Sequence, residues 1–200
     1  TENPVRLTRS VKDALTRDIF VAVDHAALMQ ALARNDPACE TCTDFVRTDL
    51  NASGLRPSIE TTVHALMPQR VVIHVHCVNT IAWAIRSDAA DRFSERLAGF
   101  AWAFIPYARP GLPLAGAIAE RLRPGIDVLV LGNHGLVVAA DTVAAAEALL
   151  DRVVQAVQRP MRAAPPIDRD ALAKLCAGTP YRPAADDSIH ALARYALQLR

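Results

Sequence analysis

Two apolar, β-rich runs, Asp127 to Leu131 and Leu136 to Ala139, are joined by Gly132-Asn133-His134-Gly135. Glycines on both sides of a polar pair let the backbone reverse within four residues, so the segment predicts a β-hairpin. A hairpin makes its two strands antiparallel, which argues against an all-parallel, doubly wound sheet. Helical and extended patterns alternate along the rest of the chain. The expected fold is therefore α/β, a three-layer α/β/α sandwich around a mixed, largely antiparallel sheet.

The other elements follow from apolar periodicity and capping chemistry. Ile19 to Val23 reads as a strand, and Asp24 then caps a helix from Ala26 to Arg34 that Asn35-Asp36-Pro37 stops. Asp44 to Leu50 reads as a short helix. A further helix runs from Pro57-Ser58 to Leu66, with Ile59, Val63 and Leu66 on its apolar face. Arg70 to His76 is a strand, Val78 to Arg86 a helix, Ala101 to Ile105 a strand, and Leu114 to Leu122 a helix. Asp141-Thr142 caps the longest helix, Val143 to Gln158. Residues 1–200 are expected to form one domain, in which 160–200 hold a Pro-rich linker and the C-terminal helices Ile167 to Cys176 and Ile189 to Leu199.

Composition excludes several function classes. A hydrophobic share of 52% against 22% charged residues is that of a folded chain, and a net charge of +1 without a basic stripe argues against nucleic acid. No apolar run approaches the ~20 residues of a membrane helix. Thr1 to Phe20 lacks the apolar centre of a secretory signal, so a cytoplasmic protein is expected. Cys39, Cys42, Cys77 and Cys176 are too few for a disulfide framework, and Cys39-Glu40-Thr41-Cys42 alone is at best half a zinc site. Trp83 and Trp102 read as core or subunit-contact residues, and His25 and His190 as exposed.

The histidines carry the chemistry. In the Arg70 to His76 strand a period of two sends Val71, Ile73 and Val75 to one face and Val72, His74 and His76 to the other. Two imidazoles side by side can grip one small cation, and His134 in its tight corner is the natural third ligand. Against this, alternating histidines are often only a solvated strand face. Glu60 lies one helix earlier with His64 at i+4, so one helix face could aim a carboxylate at the same centre.

Three blocks, Ser58-Ile59-Glu60-Thr61-Thr62-Val63-His64-Ala65-Leu66, Val72-Ile73-His74-Val75-His76 and Gly132-Asn133-His134-Gly135-Leu136 before a long Ala-rich helix, resemble the class II aldolase/adducin family. The resemblance runs from Asp18 to about Arg159 and looks nearest to the branch related to rhamnulose-phosphate aldolase, some of whose members are fused to a dehydrogenase. It implies a metal-dependent lyase that cleaves a C–C bond of a ketose, a ketose phosphate or a related hydroxy-carbonyl compound through a metal-stabilised enediolate. His74, His76 and His134 would hold Zn²⁺ or another divalent metal, and Glu60 would be the acid/base. The family usually forms homotetramers that act on small sugar or sugar-phosphate substrates.

The family's phosphate loops lie upstream of Asp18 and have no counterpart in the residues present here. One of the two serines that often precede the catalytic Glu is replaced, leaving Ser58-Ile59. Arg56, Ser58 and Asn133 are then the candidates for contacting substrate. Two alternatives stand beside the lyase: a non-catalytic, adducin-like association module, and a metal-dependent dehydratase or decarboxylase of a small hydroxy acid.

Overall fold

The computed structural model describes residues 5–7, 20–52, 54–160, 167–186 and 188–190. By internal contacts the chain divides into residues 1–157 and residues 158–200.

The first unit is built on a four-stranded sheet of β3 (Val71–Val75), β4 (Trp102–Ile105), β5 (Val128–Leu131) and β6 (Gly135–Ala140), in the order β3-β6-β5-β4. β5 and β6 form the antiparallel hairpin that the Gly132–Gly135 corner implies, with Val130 opposite Leu136. β3 adds antiparallel to β6, and only β4 runs parallel to its neighbour β5. The sheet is mixed and largely antiparallel, as expected.

Alternation along the central strands makes two cores. Val128, Val130, Leu136 and Val138 face one side, where Phe93, Leu97, Val153 and Val157 cover them. Leu129, Leu131, Val137 and Ala139 face the other, under Val63, Met67, Leu114 and Ile118. The first cover comes from α3 (Val78–Ala84), α4 (Ala89–Arg96) and α6 (Val143–Ala156), and the second from α2 (Thr61–Leu66) and α5 (Leu112–Arg121). These are the three layers. Full burial of each such side chain stabilises the fold by about 1.5–3 kcal/mol.

A third, smaller core gathers Val23, Leu28, Cys39, Cys42 and Ala65. It joins β2 (Val21–Val23), α1 (His25–Ala33) and a 3-10 turn at Pro37–Glu40. Asp24 caps α1 by accepting from the Ala27 N–H at 2.9 Å, and Asn35 follows the helix with φ of 55°. Both thiols of this core are free and buried, and burial pushes the Cys42 thiol up to about 12. β2 pairs antiparallel with β1 (Val5–Leu7), a strand the sequence reading did not include.

Several expectations are corrected. Asp44 to Leu50 is not a helix but two separate 3-10 turns, Thr43–Phe45 and Thr48–Leu50. α2 begins at Thr61, not near Pro57-Ser58, and Ile59 stays 46% exposed instead of joining the apolar face. α5 starts two residues early, at Leu112, and α4 was not anticipated. His25 is not exposed: its Nε2 donates to the Ala65 carbonyl at 2.9 Å and ties α1 to α2. Trp83, half-buried, donates through Nε1 to the Val157 carbonyl at 3.0 Å.

In the second unit, α7 (Arg169–Cys176) is capped by Asp168, which accepts from Ala171 N–H at 2.8 Å. His190 is 8% exposed, not solvated, with Nε2 donating to the Ala184 carbonyl. Most of the expected Ile189 to Leu199 helix lies outside the described residues. Among the described residues no helix is long and apolar enough to cross a membrane.

Candidate metal centre

Glu60, His74, His76 and His134 converge, with one donor atom from each lying within 4.8 Å of all the others. Three separate pieces of backbone deliver them. His74 is near the end of β3 and His76 just beyond it, His134 sits in the hairpin corner before β6, and Glu60 is the residue immediately before α2. The three imidazole centroids form an almost equilateral triangle with sides of 5.0, 5.0 and 5.2 Å.

Glu60 is placed by a turn and not by a helix face. The Ser58 hydroxyl oxygen accepts from the Glu60 N–H at 3.2 Å, and the Ser58 carbonyl accepts from the Thr61 N–H and the Thr61 hydroxyl. These local bonds compete with helix formation and delay α2 until Thr61. Glu60 therefore projects off the helix start, and the i+4 geometry with His64 is not what brings it to the centre.

His74 is oriented through its far side. Its Nδ1 lies 3.0 Å from the Leu136 carbonyl, which can only accept, so Nδ1 carries the proton. The Nε2 of a neutral ring then holds a lone pair, and this buried atom has no hydrogen-bond partner. It approaches Glu60 Oε1 at 3.3 Å without hydrogen-bond alignment, whereas His134 Nε2 reaches the same oxygen at 2.7 Å. A buried, orphaned imidazole nitrogen whose other nitrogen is fixed by a carbonyl is the arrangement of a metal-ligating histidine. The donor set, three imidazoles and one carboxylate, suits a divalent cation.

The corner needs glycine for a reason beyond reversal. A Cβ on Gly135 would lie 2.7 Å from the Val75 carbonyl oxygen, 3.0 Å from His74 Cε1 and 3.2 Å from His76 Cδ2. Gly135 is thus the clearance that lets both imidazoles close over the hairpin. This role is invisible in a sequence, where the glycine reads only as a turn residue. Asn133 adopts φ of 49°, which asparagine tolerates, and its side chain is exposed.

Electrostatics favour an ionised carboxylate. Burial pushes the Glu60 carboxyl up, but the hydrogen bond from His134 outweighs it and holds the group well below the usual carboxylate range. His76 is pushed down by burial first and by His74 and His134 next. Burial, helped by His74, lowers His64 to about 4, so this imidazole stays neutral beside the cluster without joining it.

Of the candidate substrate contacts, Ser58 is engaged in the turn before α2. Arg56 is exposed and lines a cavity with Thr41, Thr43, Pro57 and Ile59. Glu40, Thr41 and Thr43 were not anticipated in that role, because they lie in or between short 3-10 turns that carry no periodic signal.

Comparisons with known proteins bear on this geometry. The model of the class II aldolase and adducin N-terminal domain matches residues 10–159. An 89-residue stretch is 35% identical to a protein of Bacillus subtilis named as an uncharacterized oxidoreductase, YuxG, covering 44% of this chain and 13% of that protein. The chain thus spans about an eighth of that relative. The fold is shared with a solved N-terminal class II aldolase domain from Thermoplasma acidophilum, at a TM-score of 0.63 and 24% identity over 76% of this chain and 72% of that one. The histidine strand, the glycine-flanked corner and the carboxylate between them sit on this shared framework, and the chain belongs to the class II aldolase and adducin N-terminal domain family.

Proposed function

We propose that the protein is a metal-dependent lyase of the aldolase type, cleaving a C–C bond of a ketose, a ketose phosphate or a related hydroxy-carbonyl compound. The observation that carries this reading is the single carboxylate oxygen of Glu60 set 2.7 Å and 3.3 Å from two imidazole nitrogens in a four-residue donor cluster. His74, His76 and His134 are the proposed holders of zinc or another divalent cation. When bound, such a cation supplies Lewis acidity toward carbonyl and hydroxyl oxygens.

The chain's own residues do the rest. Glu60, ionised at neutral pH, accepts the proton of the hydroxyl on the carbon that becomes the aldehyde. The same Oε then returns the proton to the carbon on the other side of the broken bond, so one carboxyl serves as base and as acid. The Leu136 carbonyl holds His74 in one tautomer throughout. Val63, beside Glu60 in α2, and Val137, opposite His74 in β6, are buried and keep that side of the cluster dry.

A homo-oligomer working in the cytoplasm is part of this proposal. Ile59 and Val78, next to and just beyond site residues, are 46% and 45% exposed, and a second subunit would cover such apolar surface. The test is elemental analysis of the purified protein joined to product analysis with phosphorylated and unphosphorylated ketoses. Aldehyde and ketone fragments in equal amounts support the lyase. A dehydrated or decarboxylated product instead assigns the cluster to hydroxy-acid chemistry, and a metal-free, inactive protein favours the association module.

A further inference from the structure

Cys39 and Cys42 are 0% and 1% exposed in the third core, so the pair that reads as half a zinc site serves as two apolar pegs. Asp36 caps the same turn by accepting from the Ala38 N–H at 3.0 Å. Glu40 stands between the pegs on this fixed turn, and its carboxylate crosses to the start of α5.

Three contacts join that carboxylate to one connection, the loop 106–111 between β4 and α5 and the first residue of α5. Oε2 accepts from the Leu112 N–H at 2.9 Å, and Oε1 pairs with Arg109. Gly111 makes the third: a Cβ there would lie 2.7 Å from Oε2 and 2.9 Å from Oε1, so the backbone passes directly against the carboxylate. Gly111 has φ of 101° and brings no side chain to cap α5, so Glu40 caps that helix from a distant turn, with its negative charge at the helix N-terminus.

The near end of the same loop presses on the corner that carries His134. The Gly132 N–H donates to the Ile105 carbonyl at 2.8 Å. A Cβ on Gly132 would lie 2.9 Å from the Tyr107 nitrogen and 3.3 Å from the Pro106 carbonyl carbon. The far side of the corner has no slack either, because the place of a Gly135 Cβ is filled by the Val75 carbonyl and the His74 and His76 rings. The corner is therefore held between β3 and a loop whose other end Glu40 grips. Contacts this close pass a displacement on instead of absorbing it.

We infer that Glu40 is a positioning residue for His134: by gripping the 106–111 loop, it sets where the hairpin corner stands and so where the third imidazole of the cluster is presented. The chemical consequence rests on reading the cluster as a metal centre, whereas the grip itself does not. The grip also gives Cys39-Glu40-Thr41-Cys42 a use. The thiols hold the turn, and the turn holds the loop.

Two measurements keep these apart. In metal-free protein, hydrogen exchange at the Gly132 and His134 amides quickens about tenfold in Glu40→Ala, the size of one lost charged hydrogen bond, while the Ala146 amide in α6 is unchanged. Glu40→Gln keeps an acceptor for Leu112 and loses only the exposed ion pair, so about threefold is expected, and this variant decides if Glu40→Ala fails to fold. In cobalt-loaded protein, the visible absorption of the bound ion changes in band position or intensity in Glu40→Ala and returns toward wild type in Glu40→Gln, and zinc affinity follows the same order. Thr142→Ala, which removes the cap of α6 and leaves the loop alone, alters neither the corner amides nor the spectrum. If the wild type binds neither cobalt nor zinc, the metal reading fails and amide exchange alone judges the grip. Three results overturn the inference: unchanged exchange at the corner or equal quickening at Ala146, an unchanged spectrum in protein that binds cobalt, or the same changes in Thr142→Ala.

Discussion

Glu60 Oε1 stands 2.7 Å from His134 Nε2, a contact between the residue just before α2 and the corner just before β6. Because that oxygen also faces His74 at 3.3 Å, removing its charge alters the cluster without changing its shape. Glu60→Gln is expected to keep most bound metal while turnover falls by roughly 10² to 10⁴, the range general acid–base groups contribute. Steady-state rates with parallel elemental analysis check this. Loss of metal together with activity would make Glu60 a ligand first.

Metal binding should be visible in stability. A cation held by the folded cluster and not by the unfolded chain adds about 2.7 kcal/mol when its free concentration is 100 times its Kd. Thermal denaturation with and without a chelator should show the difference, and His76→Ala should abolish it. If the chelator leaves the melting temperature of the metal-loaded wild type unchanged, the cluster does not hold a metal.

Gly135→Ala is expected to be far worse than an ordinary surface glycine substitution. The added methyl would lie 2.7 Å from the Val75 carbonyl oxygen and within 3.2 Å of two imidazoles, so strands β3 and β6 must part. Overpacking of this kind costs about 1–3 kcal/mol. Urea denaturation of the metal-free protein should report that loss, and zinc titration a weaker affinity. Wild-type values in both measurements would show that the corner relaxes freely.

His64 predicts a pH dependence in the metal-free protein. Its imidazole titrates at about 4 in the fold, against an ordinary value near 6.5, because burial disfavours the cation. Between these values the unfolded chain binds the proton and the native chain does not, so stability falls as pH drops from about 6.5 toward 4 and is regained on raising it. His64→Gln should flatten this part of a plot of urea midpoint against pH. A slope identical in variant and wild type would remove His64 as its source.

Much of the site could be read from residue order, since strand alternation places His74 and His76 together whatever else the chain does. The hairpin was equally plain, because Gly132 and Gly135 bracket a reversal between two runs of aliphatic residues. Other features depend on partners that no local window contains. α4 escaped notice because Ala89 and Phe93 form a narrow apolar stripe amid Asp88, Arg92, Glu95 and Arg96, and only contact with the sheet makes that stripe decisive. The start of α2 was misplaced because a Ser58 hydroxyl captures an amide that helix propensity would assign to the first turn. The cavity beside Glu60 was hidden for a third reason: Thr41, Thr43 and Arg56 come from irregular segments that only the folded chain brings together.

The pairing of His74 with Val137 across β3 and β6 has a consequence for how the sheet assembles. Every aliphatic residue of β3 would be about as comfortable one position along, since Val71, Val72, Ile73 and Val75 differ little in size or polarity. A slip of one residue, however, turns the strand over, carries both imidazoles to the opposite side and puts Ile73 or Val75 where a donor atom belongs. A cation that recognises only nitrogen and oxygen would ignore such a misaligned sheet and capture the aligned one. The ion would then act as a proofreader, selecting among near-equivalent strand alignments the one in which the chemistry exists.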